Sequence, residues 1–316
     1  MEFWRTPGRI VALVCLPVLL LGVGTAAAQT VVGAQCLGDK DASGDVTVDE
    51  VVTTVDNALN GCGLEEITVE FQGMVGDQTF ACGQIYENLG LSGDQFIPAD
   101  FRLYFHNIRL IDKLGREVPL QLTQDGIWQV EDLVMLDFEN RVEPCNLGTV
   151  QTNTSARGRI APGEYNGIRF SLGVPFRLDH INAATAPSPL TLTAMFWNWQ
   201  GGYKFIRIDE ALDIFRVHLG SSGCVLVTPS TVSHCDRPNV GEVYLPVFDP
   251  STDIIAADLK VLLADSDLQV NQPDTPPGCM STPEDTDCDP VMRNLGVNFS
   301  NGMPDPSRQK FFHVLD

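Results

Sequence analysis

The chain has 316 residues, a formal net charge of -21 and a pI near 4.4. Forty-one acids against 20 bases exclude nucleic acid and an anionic membrane surface as partners, because phosphate recognition needs a basic face. With 44% hydrophobic residues the chain can build a sizeable core, and 28 Gly with 20 Pro point to many turns and an all-β protein.

Residues 1–28 read as a secretory signal peptide. Arg5 and Arg9 precede an apolar stretch from Ile10 to Val23, and Ala26, Ala27 and Ala28 supply a small-residue cleavage site. The apolar run is too short for a spanning helix and no later run is longer, so no stable membrane insertion is expected. The expected location is the periplasm or the cell surface. Cleavage removes Cys15 and leaves eight cysteines: Cys36, Cys62, Cys82, Cys145, Cys224, Cys235, Cys279 and Cys288. An even count in an exported chain predicts disulfides. Proximity along the chain suggests pairing Cys36 with Cys62, Cys224 with Cys235 and Cys279 with Cys288, which leaves Cys82 for Cys145. No C-x-x-C-H occurs, so the chain carries no covalent haem of its own.

Residues 29–64 hold the strongest local motif, a twelve-residue calcium loop running from Asp39 to Glu50. Asp39, Asp41 and Ser43 stand at positions 1, 3 and 5, and Gly44 at the sharp turn. Asp45 offers its carbonyl at position 7, Thr47 falls at position 9, and Glu50 can give two oxygens at position 12. Val48, Val51, Val52, Val55, Ala58 and Leu59 then repeat at helical spacing, and Gly61 is placed to end the helix. No helix precedes the loop, so the module resembles half of a dockerin-type, EF-hand-like repeat. Its expected role is structural.

Residues 65–316 read as strands separated by turns. Segments 67–73, 101–112, 130–138, 165–172, 190–199, 203–209, 213–219 and 242–248 are rich in β-branched and aromatic residues. Gln200, Gly201 and Gly202 suggest a tight hairpin. Helical patterns are short, over 255–263 and near 291–295. The expected fold is an antiparallel β-sandwich with disulfides, plus the small N-terminal calcium loop–helix module. The stretch 265–290 holds seven acids and no base and reads as a solvated loop pinned by Cys279 and Cys288.

Hydrolase and nucleotide motifs (G-x-S-x-G, H-E-x-x-H, P-loop) are absent, so the chain is not expected to be an enzyme. Alternation along 101–108 places Tyr104, His106 and Ile108 on one face. His106, His180 and His218 are imidazoles that could converge on copper or zinc, since the thiols are expected to be oxidised. His234 and His313 are read as ordinary residues. Trp197 and Trp199 stand two apart beside Met195, on one face if the segment is a strand. Trp128 lies in a looser stretch.

The stretch Met195-Phe196-Trp197-Asn198-Trp199-Gln200-Gly201-Gly202-Tyr203-Lys204-Phe205-Ile206-Arg207-Ile208-Asp209 resembles the signature of the MbnP-like family of methanobactin-associated proteins. Agreement extends through Phe105-His106-Asn107-Ile108-Arg109-Leu110, Leu136-Asp137-Phe138-Glu139, Gly173-Val174-Pro175-Phe176-Arg177-Leu178-Asp179-His180, His218-Leu219-Gly220-Ser221-Ser222-Gly223-Cys224 and Gly278-Cys279-Met280-Ser281. The resemblance implies an exported copper-binding protein paired with a dihaem c-type peroxidase-like enzyme that oxidises a tryptophan to kynurenine. Ring opening turns the indole into an aryl amine beside a ketone, a group able to complete a copper site with histidine nitrogens. Carried onto this chain, Trp197 or Trp199 is the residue to be oxidised, and His106, His180 and His218 are the ligand candidates. The competing reading is a calcium-stabilised extracellular binding module that presents the tryptophans to carbohydrate or protein without copper.

Overall fold

The computed structural model describes residues 46–60 and 63–315. The segment 1–28, the loop positions Asp39, Asp41, Ser43 and Asp45, the pair Cys36 and Cys62, and Gly61 lie outside the described residues. The helix expected after the loop is present as Val48–Asn60. It starts on a reciprocal cap. The Thr47 amide and hydroxyl donate to Glu50 Oε2 at 2.8 and 2.9 Å, and the Glu50 amide donates back to Thr47 Oγ1 at 3.4 Å. Val48, Val51, Val52 and Val55 on its apolar stripe are exposed.

Two sheets face one another. The smaller runs Phe312–Val314, Ile254–Asp258, Glu65–Val75, Ser155–Ile160 and Gln121–Leu122, with Gln78–Thr79 added at the end of Glu65–Val75. Its pairs are antiparallel except Glu65–Val75 with Ile254–Asp258. The larger is organised around the 15-residue strand Pro98–Asp112. That strand pairs with Ile206–Glu210, Tyr165–Leu172, Leu133–Asp137 and Glu117–Pro119. Val217–Leu219 and Gly241–Leu245 close its two edges. The all-β sandwich expected from the sequence is the fold observed. Disulfides join Cys82 to Cys145, Cys224 to Cys235 and Cys279 to Cys288, three of the expected pairings.

Strand alternation decides which side chains meet between the sheets. Phe71 lies 4.9 Å from Phe105 by ring centroids, and Phe170 lies 5.9 Å from Phe71, 5.2 Å from Phe105 and 5.1 Å from Phe312. A second apolar cluster lies apart from this one and joins strand residues of the larger sheet to a long excursion. It holds Tyr104, Leu133 and Met135 from the strands and Val174, Leu178, Leu190, Met195, Tyr203 and Phe205 from the excursion. The excursion, 173–205, contains only a four-residue helix, Phe176–Asp179, a 3-10 turn, Thr193–Met195, and the small hairpin Phe196–Asn198 with Gly202–Tyr203.

Several expectations are corrected. The helix over 255–263 is a strand, Ile254–Asp258, followed by the helix Leu259–Leu263. Ile255 and Ala257 are wholly buried between neighbouring strands, and Asp258 caps the helix through the Lys260 amide. Segment 190–199 is mostly turn, because only Phe196–Asn198 is strand. Trp199 therefore sits in the turn, and strand alternation does not place it on the face of Trp197. Tyr104 and Ile108 do not share a face either. Asn107 adopts φ 57° and the pairing with Tyr165–Leu172 shifts register there, so Tyr104 enters the outer cluster and Ile108 the inter-sheet core. The 265–290 loop is not simply solvated. Cys279 bridges Val217 in parallel, and Cys279, Ser281, Asp285 and Cys288 are buried. The strands Ser155–Ile160, Ser222–Thr228, Thr231–Arg237 and Phe312–Val314 were not foreseen.

Because Phe170 touches three rings across both sheets, Phe170→Ala should cost about 3–5 kcal/mol of stability. Leu212→Ala, at an exposed position, should cost under about 0.5 kcal/mol. Denaturant unfolding of both variants checks the contrast.

Candidate metal centre

The outer face of the larger sheet carries a row of charge. The register sets Asp137 opposite Arg102, Arg102 opposite Arg207, and Arg207 opposite His218 across four adjacent strands. Asp100 and Asp209, opposite one another, lie two residues along from Arg102 and Arg207 and share their face. Intervening residues Phe101, Leu103, Ile206 and Ile208 build the inter-sheet core. Arg102 is wholly buried and its Nε and a terminal nitrogen donate to Asp100. Arg207 Nε lies 3.0 Å from Asp100 and donates to Asp209 at 2.8 Å. His218 Nε2 donates to Asp209 Oδ1 at 2.5 Å.

Burial and pairing set the protonation of this row. Burial works against the Arg102 charge, but the hydrogen bond and charge of Asp100 outweigh it and hold the guanidinium protonated. Burial would raise Asp209, yet the bonds from His218 and Arg207 keep its carboxyl well below the usual range. Asp137, buried and beside Glu139 and Asp100, is pushed up to about 8 although Arg102 opposes the shift. Burial, then the neighbouring Arg207, lowers Lys204 to about 8. Lys204 Nζ and Arg207 both donate to the Ala194 carbonyl at 2.8 Å, and Lys204 Nζ lies 6.0 Å from the Trp197 ring centroid.

The three candidate imidazoles occupy separate settings with a common feature. His106 Nδ1 donates to the Gly173 carbonyl at 2.9 Å, His180 Nδ1 to the Trp199 carbonyl at 3.0 Å, and His218 Nε2 to Asp209. One ring nitrogen of each is tied to an acceptor, which fixes the tautomer and leaves the other nitrogen as a lone-pair donor. Burial lowers the pKa of all three, so they are neutral at neutral pH. Among the described residues, His, Cys and carboxylate donors gather in threes, within 4.8 Å of one another, in two places. These are His180 with Cys224 and Cys235, and Glu139 with Cys82 and Cys145. Neither includes His106 or His218, so the three imidazoles do not form one cluster. His234 is largely exposed beside Asp236, and His313 pairs in an edge strand of the smaller sheet.

The tryptophan hairpin is held by its own backbone. The Gln200 and Gly201 amides donate to Asn198 Oδ1 at 3.0 and 2.7 Å, which folds Trp199 into the turn. Gly202 has φ 67°, and a Cβ there would stand 2.4 Å from Asp179 Oδ1. That oxygen accepts the Tyr203 amide at 2.8 Å, and Asp179 Oδ2 accepts the Ser221 hydroxyl at 2.8 Å. The Trp197 ring lies on Gly220, where a Cβ would meet it at 2.6 Å. A groove of about 380 Å³ opens beside Trp197, walled by Gln200, Ser222, Cys224 and Met280. Its rim is tied to the 278–288 loop: the Gly220 amide donates to Ser281 Oγ at 2.9 Å, and Ser281 Oγ donates to the His218 carbonyl at 2.8 Å.

The charged row and Asp179 were not singled out from the sequence. For Asp100, Arg102, Arg207 and Asp209 the signal was present as period-two charge inside apolar strands, Asp100-Phe101-Arg102 and Arg207-Ile208-Asp209.

These features define a class: a disulfide-braced β-sandwich with neutral imidazoles and an indole hairpin over a buried ion-paired face. A family model described as MbnP matches residues 64–281. The chain belongs to the MbnP family. It is similar to the solved structure of MbnP from Methylosinus trichosporium, at 28% identity and a TM-score of 0.69, covering 80% of this chain and 98% of that one. No curated protein matches the chain. Among the described residues no helix is long and apolar enough to cross a membrane.

Removing half of the buried pair should be severe: Arg102→Met, which leaves Asp100 under-compensated, should cost about 3–5 kcal/mol in denaturant unfolding. Asp137 gives a pH signature. Its folded pKa of about 8 lies above the ordinary 3.8, so the native state holds the proton more tightly than the unfolded chain. Its stabilisation is complete below about pH 4 and is lost as pH rises towards about 8. Asp137→Asn should flatten the stability–pH curve across that window, measured by urea unfolding at each pH.

Proposed function

We propose that the protein is an exported, non-enzymatic copper-binding protein whose site is completed when a partner dihaem c-type peroxidase-like enzyme oxidises Trp197 or Trp199 to kynurenine. Membership of the MbnP family and the paired cysteines of an oxidising compartment support this reading. The observation that carries it is the bond from His180 Nδ1 to the Trp199 carbonyl. It ties a neutral imidazole to the tryptophan hairpin and leaves Nε2 as a lone-pair donor. His106 Nε2 and His218 Nδ1 are left in the same state by their own partners, and this donor chemistry suits copper. Copper bound here would be cargo or a redox centre, and the chain's own residues hold the imidazole tautomers and the indole hairpin in place. Thr47 and Glu50 cap the first helix, and together with Asp39, Asp41, Ser43 and Asp45 they would also serve a calcium ion that stabilises the N-terminal module.

The groove beside Trp197 favours one second reading, a binding module that takes a carbohydrate or protein ligand without copper. Coexpression with the dihaem enzyme, followed by peptide mapping and copper titration, separates the two. Kynurenine in the 195–205 peptide with stoichiometric copper is the expected result. An unmodified peptide and no copper binding would sink the first reading. For calcium, an Asp39→Ala, Glu50→Ala double variant should lose calcium binding by titration calorimetry.

A further inference from the structure

His180 is more than nine-tenths buried by its side chain, and among the described residues its Nε2 faces two sulfurs and a carboxyl oxygen. Nδ1 carries the proton, because its partner is the Trp199 carbonyl. The Nε2 lone pair therefore faces Cys235 Sγ at 3.3 Å, Cys224 Sγ at 3.9 Å and Asp179 Oδ2 at 3.3 Å. A disulfide sulfur has no hydrogen to donate, and Asp179 Oδ2 already accepts from Ser221. An electron-rich nitrogen aimed at two sulfurs and a carboxylate is a cradle for a cation.

We propose that reduction of the Cys224–Cys235 disulfide turns this corner into a metal site for a soft d10 cation, Cu(I) or Zn2+, with His180 Nε2, Cys224 Sγ and Cys235 Sγ as ligands. The three donor atoms already lie within 4.8 Å of one another. A dithiol reductant breaks the S–S bond, which takes up two electrons and two protons, while the dithiol closes to its own disulfide. Metal binding then displaces the two thiol protons and leaves two thiolates. The backbone keeps the thiols together after the bond breaks, because Cys224 and Cys235 are direct partners in the hairpin of Ser222–Thr228 with Thr231–Arg237. The Trp199 carbonyl is the outer partner that orients the imidazole, and the Asp179 carboxylate offsets the charge of the ion. Cys235 is partly exposed, whereas Cys279 and Cys288 are wholly buried, so a dithiol can reach the first bridge more readily.

The site needs no oxidised tryptophan, and so it stands or falls apart from the kynurenine reading. The test uses the full chain expressed without the dihaem enzyme and treated with a dithiol, then titrated with Co2+ as the optical probe and with Zn2+ in competition. The expected result is one equivalent of Co2+ with thiolate charge-transfer bands and tetrahedral d–d absorption, displaced by Zn2+ and absent before reduction. His180→Gln should weaken binding at least about tenfold, and a Cys224→Ser, Cys235→Ser double variant should abolish the bands. Near-UV circular dichroism shows that each variant is folded, and Cys224→Ala, Cys235→Ala replaces the double variant if it is not. Undiminished thiolate bands in either double variant would assign the ion to other cysteines, such as Cys82 and Cys145 beside Glu139, and overturn the proposal. Unchanged affinity in His180→Gln would overturn it as well.

Discussion

The buried ion pairs of Asp100, Arg102, Arg207 and Asp209 control how the outer face of the larger sheet is covered. Four charges in alternating order nearly cancel, but each must stay hydrogen-bonded because unpaired buried charge costs several kcal/mol. A purely apolar cover would leave Lys204 and the remaining Arg207 nitrogen without an acceptor. The 173–205 excursion supplies it through the Ala194 carbonyl. Two tyrosines extend the same device: Tyr104 donates to the Pro189 carbonyl and Tyr203 to the Leu190 carbonyl, across the apolar cluster. An irregular segment with little secondary structure is thereby fixed at three carbonyls. His180, Trp197 and Trp199 all ride on it.

This arrangement explains what could be read from the sequence. The sandwich was legible because strands such as Glu65–Val75 and Tyr165–Leu172 are bounded by turns and carry strong β formers. Two of the three observed disulfides were legible from chain proximity, and Cys82–Cys145, 63 residues apart, was the pairing that remained. The candidate histidines and tryptophans were legible from residue type and spacing, and the family resemblance supplied their roles. Their arrangement was not legible at all. The φ of Asn107 inserts a bulge that a two-residue period cannot anticipate, and it sends Ile108 to the opposite core from Tyr104. Likewise, Trp197 and Trp199 looked like strand neighbours until Asn198 was seen to fold the chain between them. Local patterns report faces of regular elements, whereas this site is built mainly on a turn, a 3-10 segment and a four-residue helix.

The acidic loop shows the same limit from the other side. Its composition suggested solvation, yet Asp285 is buried and accepts the Met280 amide at 2.8 Å. Burial raises its pKa against that bond. The loop presents Cys279 to Arg216 and His218 as an extra parallel partner at the sheet edge, with bonds of 2.8 and 2.9 Å. Ser281 then fixes Gly220, on which the Trp197 ring rests. Disulfide, loop and indole therefore form one mechanical chain, and the Cys279–Cys288 bridge bears on the tryptophan it never touches.

His180 is where the tryptophan hairpin and the Cys224–Cys235 disulfide meet. Its Nδ1 belongs to the tryptophan turn, its ring packs 5.2 Å from Phe176, and its Nε2 faces the Cys224–Cys235 sulfurs. One nitrogen can bind only one metal at a time. With the disulfide intact, the sulfurs offer no thiolate and Nε2 remains for a site completed by a modified tryptophan. With the disulfide open, two thiolates stand closer to Nε2 than either of the other candidate imidazoles, neither of which shares its cluster. Thiolates bind Cu(I) more strongly than an aryl amine does. The redox state of a single exposed hairpin would then decide which donors claim this imidazole, and the backbone bond from Trp199 would orient it for both.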